Sequence, residues 1–527
     1  MNIYTELQGW NKVSFEDSTL EYKGIFILDG DFIEPILLLK KIEENGIKIF
    51  EKISGFFSFI FQSKDFSIIA VDIIRSIPIF FEKKDKSLVI TSDNKKDNDI
   101  DSISLMEIES LGYITGSNTL YLNQYQLEAG KAIFIDNKKK TVDTLKYYDF
   151  RHENIKDFNK LELKKKLSEV FERTIKRLIK YANGRTIVLP LSGGYDSRII
   201  ATYIKKLNYN NVVCFTYGVN NNHEAFISKQ VAKTLSFDWY FIEYNKELLE
   251  DEWQKYGKDY CQYSFKGVGL PHIQDWYAIK KLINDGVVDE NSILVPGHAG
   301  DFVAGNHIPQ FNRNNYAVSE IVNFIFYKNY SLKNTYLYKD ILKNKIHQNI
   351  NEKLINNQKY VNCEDFADIY ENWIWKERQA KYITNSIRVY DYYNLEWWLP
   401  FWDREFVDYW KLIPYELRVE RKFYIDWVDE EFYKLSEYHF IDNSVDRSEI
   451  MKKIIMYGLC PSRYIRLVNF INKKIKWDYS DHFLCFDGYI RNYNKLKLNY
   501  KGYNILGIYV DLLLNDKWFS TKDLEDI

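Results

Sequence analysis

The chain has 527 residues, more than one ordinary core accommodates, so two or more domains are expected. Its 46% hydrophobic content can build them, while a formal net charge of −2 and a pI near 6.5 give no electrostatic case for nucleic acid as the main partner. No charged-then-apolar leader opens the chain, and its apolar runs, such as Ile53 to Phe61, are too short to span a bilayer. The cysteines Cys214, Cys261, Cys363, Cys460 and Cys485 are far apart and form no C-x-x-C pair, which predicts neither a zinc site nor a disulfide framework and fits a reducing cytoplasm.

Residues 1–150 read as a β-rich domain. Short apolar strands at 24–28, 55–61, 67–71, 77–81 and 88–91 are separated by charged turns, with one clear helix over 37–45 and a charged surface loop from Asp93 to Asp101. From Leu161 the period changes. Leu163, Leu167, Val170, Phe171, Leu178 and Ile179 recur at helical spacing, so a second domain is predicted over 151–527 with its boundary just before this helix. Strands at 186–189, 212–217, 239–244 and 293–295 then alternate with helices, one of them over 223–235. That alternation implies an α/β fold with a doubly wound parallel sheet, whose ligand site lies at the carboxyl ends of the strands. Beyond Asn315 the pattern is helical and aromatic.

One such strand end carries Leu191-Ser192-Gly193-Gly194-Tyr195-Asp196-Ser197. Two glycines let the backbone turn its N–H groups onto an anion, and the helix that follows aims its positive end at the same place. Asp196 would sit poorly beside bare phosphate but well on a magnesium ion that phosphate also binds. No Gly-Lys-Ser or Gly-Lys-Thr follows, so this is not the Walker-type loop. The bland alternative is a turn in which Ser192 and Asp196 only cap the helix.

The loop resembles that of the ATP pyrophosphatases. Together with Gly297-His298-Ala299-Gly300-Asp301-Phe302 and the stretch from Glu396 to Asp408, it resembles the asparagine synthetase family in order and spacing. The resemblance implies that ATP is held by Leu191, Ser192, Gly193, Gly194, Asp196, Ser197 and Gly297, with Mg2+ on Asp196 and Asp301. It also implies that residues 1–150 are a glutaminase-like domain. Family members that hydrolyse glutamine carry a cysteine at the second position; Asn2 stands here and no cysteine precedes Cys214, so this domain is expected to be a structural remnant, as in the β-lactam synthetases and lasso-peptide cyclases. The family's Gly-Glu-Gly-x-Asp-Glu becomes Gly297-His298-Ala299-Gly300-Asp301-Phe302, which puts an imidazole in place of a substrate-contacting carboxylate and argues against aspartate as substrate. Trp398 replaces an arginine that would border the same pocket, Glu396 is retained, and Lys422 is the candidate for the pyrophosphate lysine.

The reading is an AMP-forming carboxylate–amine ligase that uses ATP and Mg2+, with His298 or Glu396 as base and ammonia or a small amine as nucleophile. The acid would be a small-molecule or sugar carboxylate, such as a uronic acid on a nucleotide sugar or glycan, or a natural-product acid. An RNA-modifying ATP pyrophosphatase and a non-catalytic nucleotide-binding subunit are the alternatives. The sequence leaves the acid, the amine and the oligomeric state open.

Overall fold

A computed structural model describes residues 2–437 except 85–86, 95–98, 154, 156, 334–335, 352–353 and 355–357, and then residues 484–490 and 505–515. The first 146 residues form two sheets. Long hydrophobic strands at Ser18–Leu28, Ile53–Gln62 and Phe66–Val71 pair antiparallel at the centre of a seven-stranded sheet, and Asn2–Glu6, Phe80–Lys84, Ser87–Thr91 and Gln124–Gln126 make a four-stranded one. The predicted strand at 77–81 is displaced to Phe80–Lys84. The cause is Asp72, whose buried carboxylate accepts from the backbone N–H of Phe57, Ile74 and Ser76 and folds residues 72–76 into a turn.

The helix expected after the boundary runs over Lys160–Ala182, started by Asn159, whose side chain accepts from the N–H groups of Leu161 and Glu162. Then comes a five-stranded, all-parallel sheet in the order Asp238–Glu243, Val212–Gly218, Ile187–Pro190, Ile293–Leu294, Glu396–Trp397. From the central strand Ile187–Pro190 the chain winds first to one side and later to the other. That strand is therefore the topological switch point, where the crevice of an open α/β sheet opens.

One apolar core runs through both halves, with Phe56, Ile74 and Tyr148 in the same cluster as Leu189, Phe302 and Trp398. The helical run Cys363–Tyr392 crosses the seam between them, and ten of its residues, Ile374–Ile383, are π-helical. From it Trp375 donates to the Ile73 carbonyl at 2.8 Å, and Glu377 accepts from the Gly116 N–H at 2.9 Å. Among the described residues no helix is long and apolar enough to cross a membrane, no group of three or more metal-ligating side chains converges, and Cys214, Cys261, Cys363 and Cys485 are free thiols. Cys460 lies outside the described residues.

Candidate active site

The Gly loop follows the carboxyl end of the switch-point strand, as its composition requires. Leu191 is pinned by its N–H to the Phe215 carbonyl (2.8 Å) and by its own carbonyl to the Thr216 hydroxyl (2.6 Å). Ser192 Oγ accepts from the Gly194 N–H and the Ser192 N–H donates to Ser197 Oγ, both at 3.1 Å, while Arg198 holds the Gly193 carbonyl at 3.0 Å. The helix Tyr195–Lys206 starts at Gly194 with no side-chain cap. Ser192 and Asp196 are thus not capping residues, and the positive helix end is left to an outside anion.

Asp196 and Asp301 meet. The Asp301 N–H donates to Asp196 Oδ2 at 3.0 Å, Tyr424 donates its hydroxyl to Asp196 Oδ1 at 2.7 Å, and Asn306 steadies Asp301 Oδ2 at 3.1 Å. The approach needs glycine: a Cβ on Gly300 would stand 2.5 Å from Asp196 Cγ, and one on Gly297 would stand 3.0 Å from the Ser197 nitrogen. Burial and the facing Asp301 charge push the Asp196 carboxyl up to about 7. Two adjacent, partly buried carboxylates of this kind fit a divalent cation. With no third protein ligand among the described residues, the other positions of an octahedral Mg2+ are left for phosphate oxygens and water, as nucleotide-borne magnesium requires. Asp301 lies within the short helix Gly300–Val303, whose N-cap is Ala299, so it too is free of a capping duty.

Three expectations are corrected by the geometry. Glu396 is not at the site. It pairs in register with Ile293, which pairs with Ile187, so it lies at the amino end of the sheet, roughly 10 Å of strand below the Gly loop. There its half-exposed carboxylate accepts from Arg185 and Tyr181, each at 2.6 Å. Trp398 borders no pocket. It is fully buried against Phe56, 5.2 Å away and edge-on, and serves the seam between the two halves. Lys422 points outward, three-quarters exposed and paired with Glu420 at 2.7 Å.

The neighbouring Arg421 is the cation that acts on both Asp196 and Tyr424. Glu420 and Arg421 both adopt left-handed backbone angles (φ 56° and 59°), and that turn decides which of the two adjacent basic residues faces the carboxylates. An Arg-Lys pair opening a helix was visible in the sequence; the turn that selects between them was not.

His298 is placed beside the site, its Nδ1 3.1 Å from Ser386 Oγ. The Ser386 proton goes to the Ile383 carbonyl at 2.6 Å, which assigns Nδ1–H to the imidazole and leaves Nε2 as an acceptor. Burial, aided by His272, pulls its pKa down to about 3. A group so reluctant to hold a proton is a poor general base near pH 7, so its geometry suits a neutral hydrogen-bonding role instead.

Residues 166–424 match the family model described as asparagine synthase. Over that segment, just under half of the chain, the protein is similar to the asparagine synthetase family. The matched segment takes in the Gly loop, the Asp301 loop and Tyr424, that is, every residue of the carboxylate pair and its braces. A putative glutamine-hydrolysing asparagine synthetase of Methanocaldococcus jannaschii is 23% identical over 242 residues, 44% of this chain and 44% of that protein, so the chain spans less than half the length of this relative. Among solved structures, an NH3-dependent NAD synthetase from Campylobacter jejuni is 15% identical over 28% of this chain and 61% of that one (TM-score 0.19). A glutamine phosphoribosylpyrophosphate amidotransferase from B. subtilis is 7% identical over 55% and 63% (TM-score 0.15).

Proposed function

We propose that this protein belongs to the asparagine synthetase family and is an ATP-dependent, AMP- and pyrophosphate-forming carboxylate–amine ligase. The observation that carries the reading is the meeting of Asp196 and Asp301 directly above an uncapped helix end and a Gly loop. Magnesium on the two carboxylates would neutralise charge on the nucleotide phosphates. The chain's own groups do the rest. The Gly loop and helix end seat the polyphosphate, Tyr424 and the Asp301 N–H hold the Asp196 carboxylate in place, and Arg421 faces the charge that builds on the departing pyrophosphate. A substrate carboxylate beside the loop would attack the α phosphorus, and the acyl-adenylate would pass its acyl group to ammonia or a small amine. His298 stands by with a neutral imidazole that donates to Ser386 and offers Nε2 to substrate.

Residues 1–150 supply scaffold to this site through the seam around Phe56, Ile73 and Gly116. The attack of carboxylate on the α phosphorus has an isotopic signature. With 18O in the substrate carboxylate, one label should appear in AMP, and label found only in pyrophosphate or in neither product would refute the acyl-adenylate step.

A further inference from the structure

The seam between the two halves holds a cavity of about 490 Å³ that shares no residue with the Gly loop or the Asp301 loop. One wall comes from the first half, through residues 115–118, Glu128 and Lys131. The helix Lys339–Asn351 supplies another, and Lys376 enters from the π-helical stretch Ile374–Ile383. The helix has two separate stripes. Leu342, Ile346 and Ile350 are buried in the core, whereas Ile341, Asn344, Lys345, Gln348 and Asn349 line the cavity. That second set has the spacing by which a helix covers an apolar surface, yet four of its five residues are polar, which suits a polar occupant.

The walls are held in place by their own bonds. Glu107, just behind them, accepts from the Thr115 N–H at 3.0 Å, from its hydroxyl at 2.5 Å and from Lys345 at 2.5 Å. Asn349 donates to Thr115 Oγ1 at 3.0 Å, tying the helix to the first half. Lys131 has Glu128 at 2.5 Å, and Lys381 behind Gly116 has Glu377 at 2.6 Å. Lys376 is served differently. It is buried, its hydrogen bond goes to the Asn349 carbonyl at 3.4 Å, and its carboxylate contact is Glu377 Oε1 at 3.9 Å. The other oxygen of Glu377 is spent on Lys381 and the Gly116 N–H, and Oε1 accepts no hydrogen bond. A buried ammonium with so long a pairing keeps much of its desolvation cost, which an arriving anion would offset.

We propose that this cavity is a second ligand site, taking a small hydroxylated carboxylic acid of the sugar-acid class. Its carboxylate lies on Lys376 and its hydroxyls on Ser117 and the amides of Asn118, Asn344 and Gln348. The volume is at the small end of ligand pockets, and a crevice between two halves of a chain is a usual place for one. One under-paired ammonium calls for one negative charge. A phosphoryl group, with nearly two, would have to draw Lys131 or Lys345 from a carboxylate at 2.5 Å. An amino acid fits worse, because its own ammonium would face three lysines whose neighbouring carboxylates are already engaged.

The test measures binding to the full-length protein by calorimetry. The probes are gluconate, glucuronate and galacturonate, set against glucose, galactose, glucose 6-phosphate and glutamate. At least one sugar acid should bind about ten-fold or more tighter than every comparison compound, the worth of a charge-assisted hydrogen bond. Lys376→Gln should remove that preference. Asn344→Glu, a change at an exposed position that sets a carboxylate against the cavity, should weaken the same binding by about ten-fold without a risk to the core. Asp301→Asn should leave it within about two-fold, since that carboxylate belongs to the other site. No preference for any of the three sugar acids, or a preference that survives both Lys376→Gln and Asn344→Glu, overturns the proposal. Tighter binding of glucose 6-phosphate or glutamate overturns the assignment of ligand class, and loss of binding in Asp301→Asn shows that the acid was bound at the nucleotide site instead.

Discussion

Asp196 answers two opposed demands. Its carboxylate would have to be ionised to meet the proposed magnesium, yet burial and Asp301 hold its pKa at about 7 against an ordinary 3.8. Between those values the folded protein keeps a proton that the unfolded chain has released, so stability falls as pH rises through this window and does not recover above it. Asp196→Asn, which needs no proton, should therefore raise the melting temperature at pH 8 and leave it unchanged near pH 4, while lowering magnesium-dependent turnover by about 10²- to 10³-fold, the usual cost of one electrostatic group. A melting temperature that drops at pH 8 would contradict the account of the carboxylate pair. The choice between adjacent basic residues is tested as directly. Arg421→Ala should slow turnover about 10²-fold, because it acts on Asp196 and on the proposed reading faces the phosphates, and Lys422→Ala, whose ammonium is in water with Glu420, should change it less than two-fold. Equal effects would mean that the left-handed turn at Glu420 and Arg421 does not select between them.

At the scale of elements, the Asp301 loop reaches the Gly loop only because Gly297 and Gly300 carry no side chain. Gly300→Ala would drive a methyl into Asp196. Such overpacking costs roughly 1–3 kcal/mol and here would be relieved by parting the two carboxylates. The expected outcome is a folded protein by circular dichroism whose affinity for Mg·ATP, read by calorimetry, falls ten-fold or more; unchanged affinity would show that the loops need not touch. What the sequence made legible follows the same division. The helix over 223–235 and the strands 187–190, 212–218 and 238–243 emerge within a residue or two because local periodicity and caps such as Asn222 define them. The Gly loop and Asp301 were legible because backbone chemistry dictates their residue types. Glu396 and Trp398 were misplaced because a two-residue strand has no period to read, and only its register against Ile293 shows which end of the sheet it occupies.

For the whole molecule, the two halves predicted at 1–150 and 151–527 share one hydrophobic core, and the seam is built by Trp398 on Phe56, Trp375 on Ile73 and Glu377 on Gly116. Such a seam makes the first half part of the scaffold, since removing it would uncover Trp398 and unseat the helix that carries Ser386. Everything else depends on the claim that the Gly loop and the Asp196–Asp301 pair cut ATP between the α and β phosphates. The most direct measurement is to incubate the protein with ATP, Mg2+ and a panel of carboxylates and amines, and to identify the nucleotide product by phosphorus NMR. AMP and pyrophosphate in equal amounts, abolished in Asp196→Asn and Asp301→Asn, are the predicted result; ADP and phosphate would contradict it.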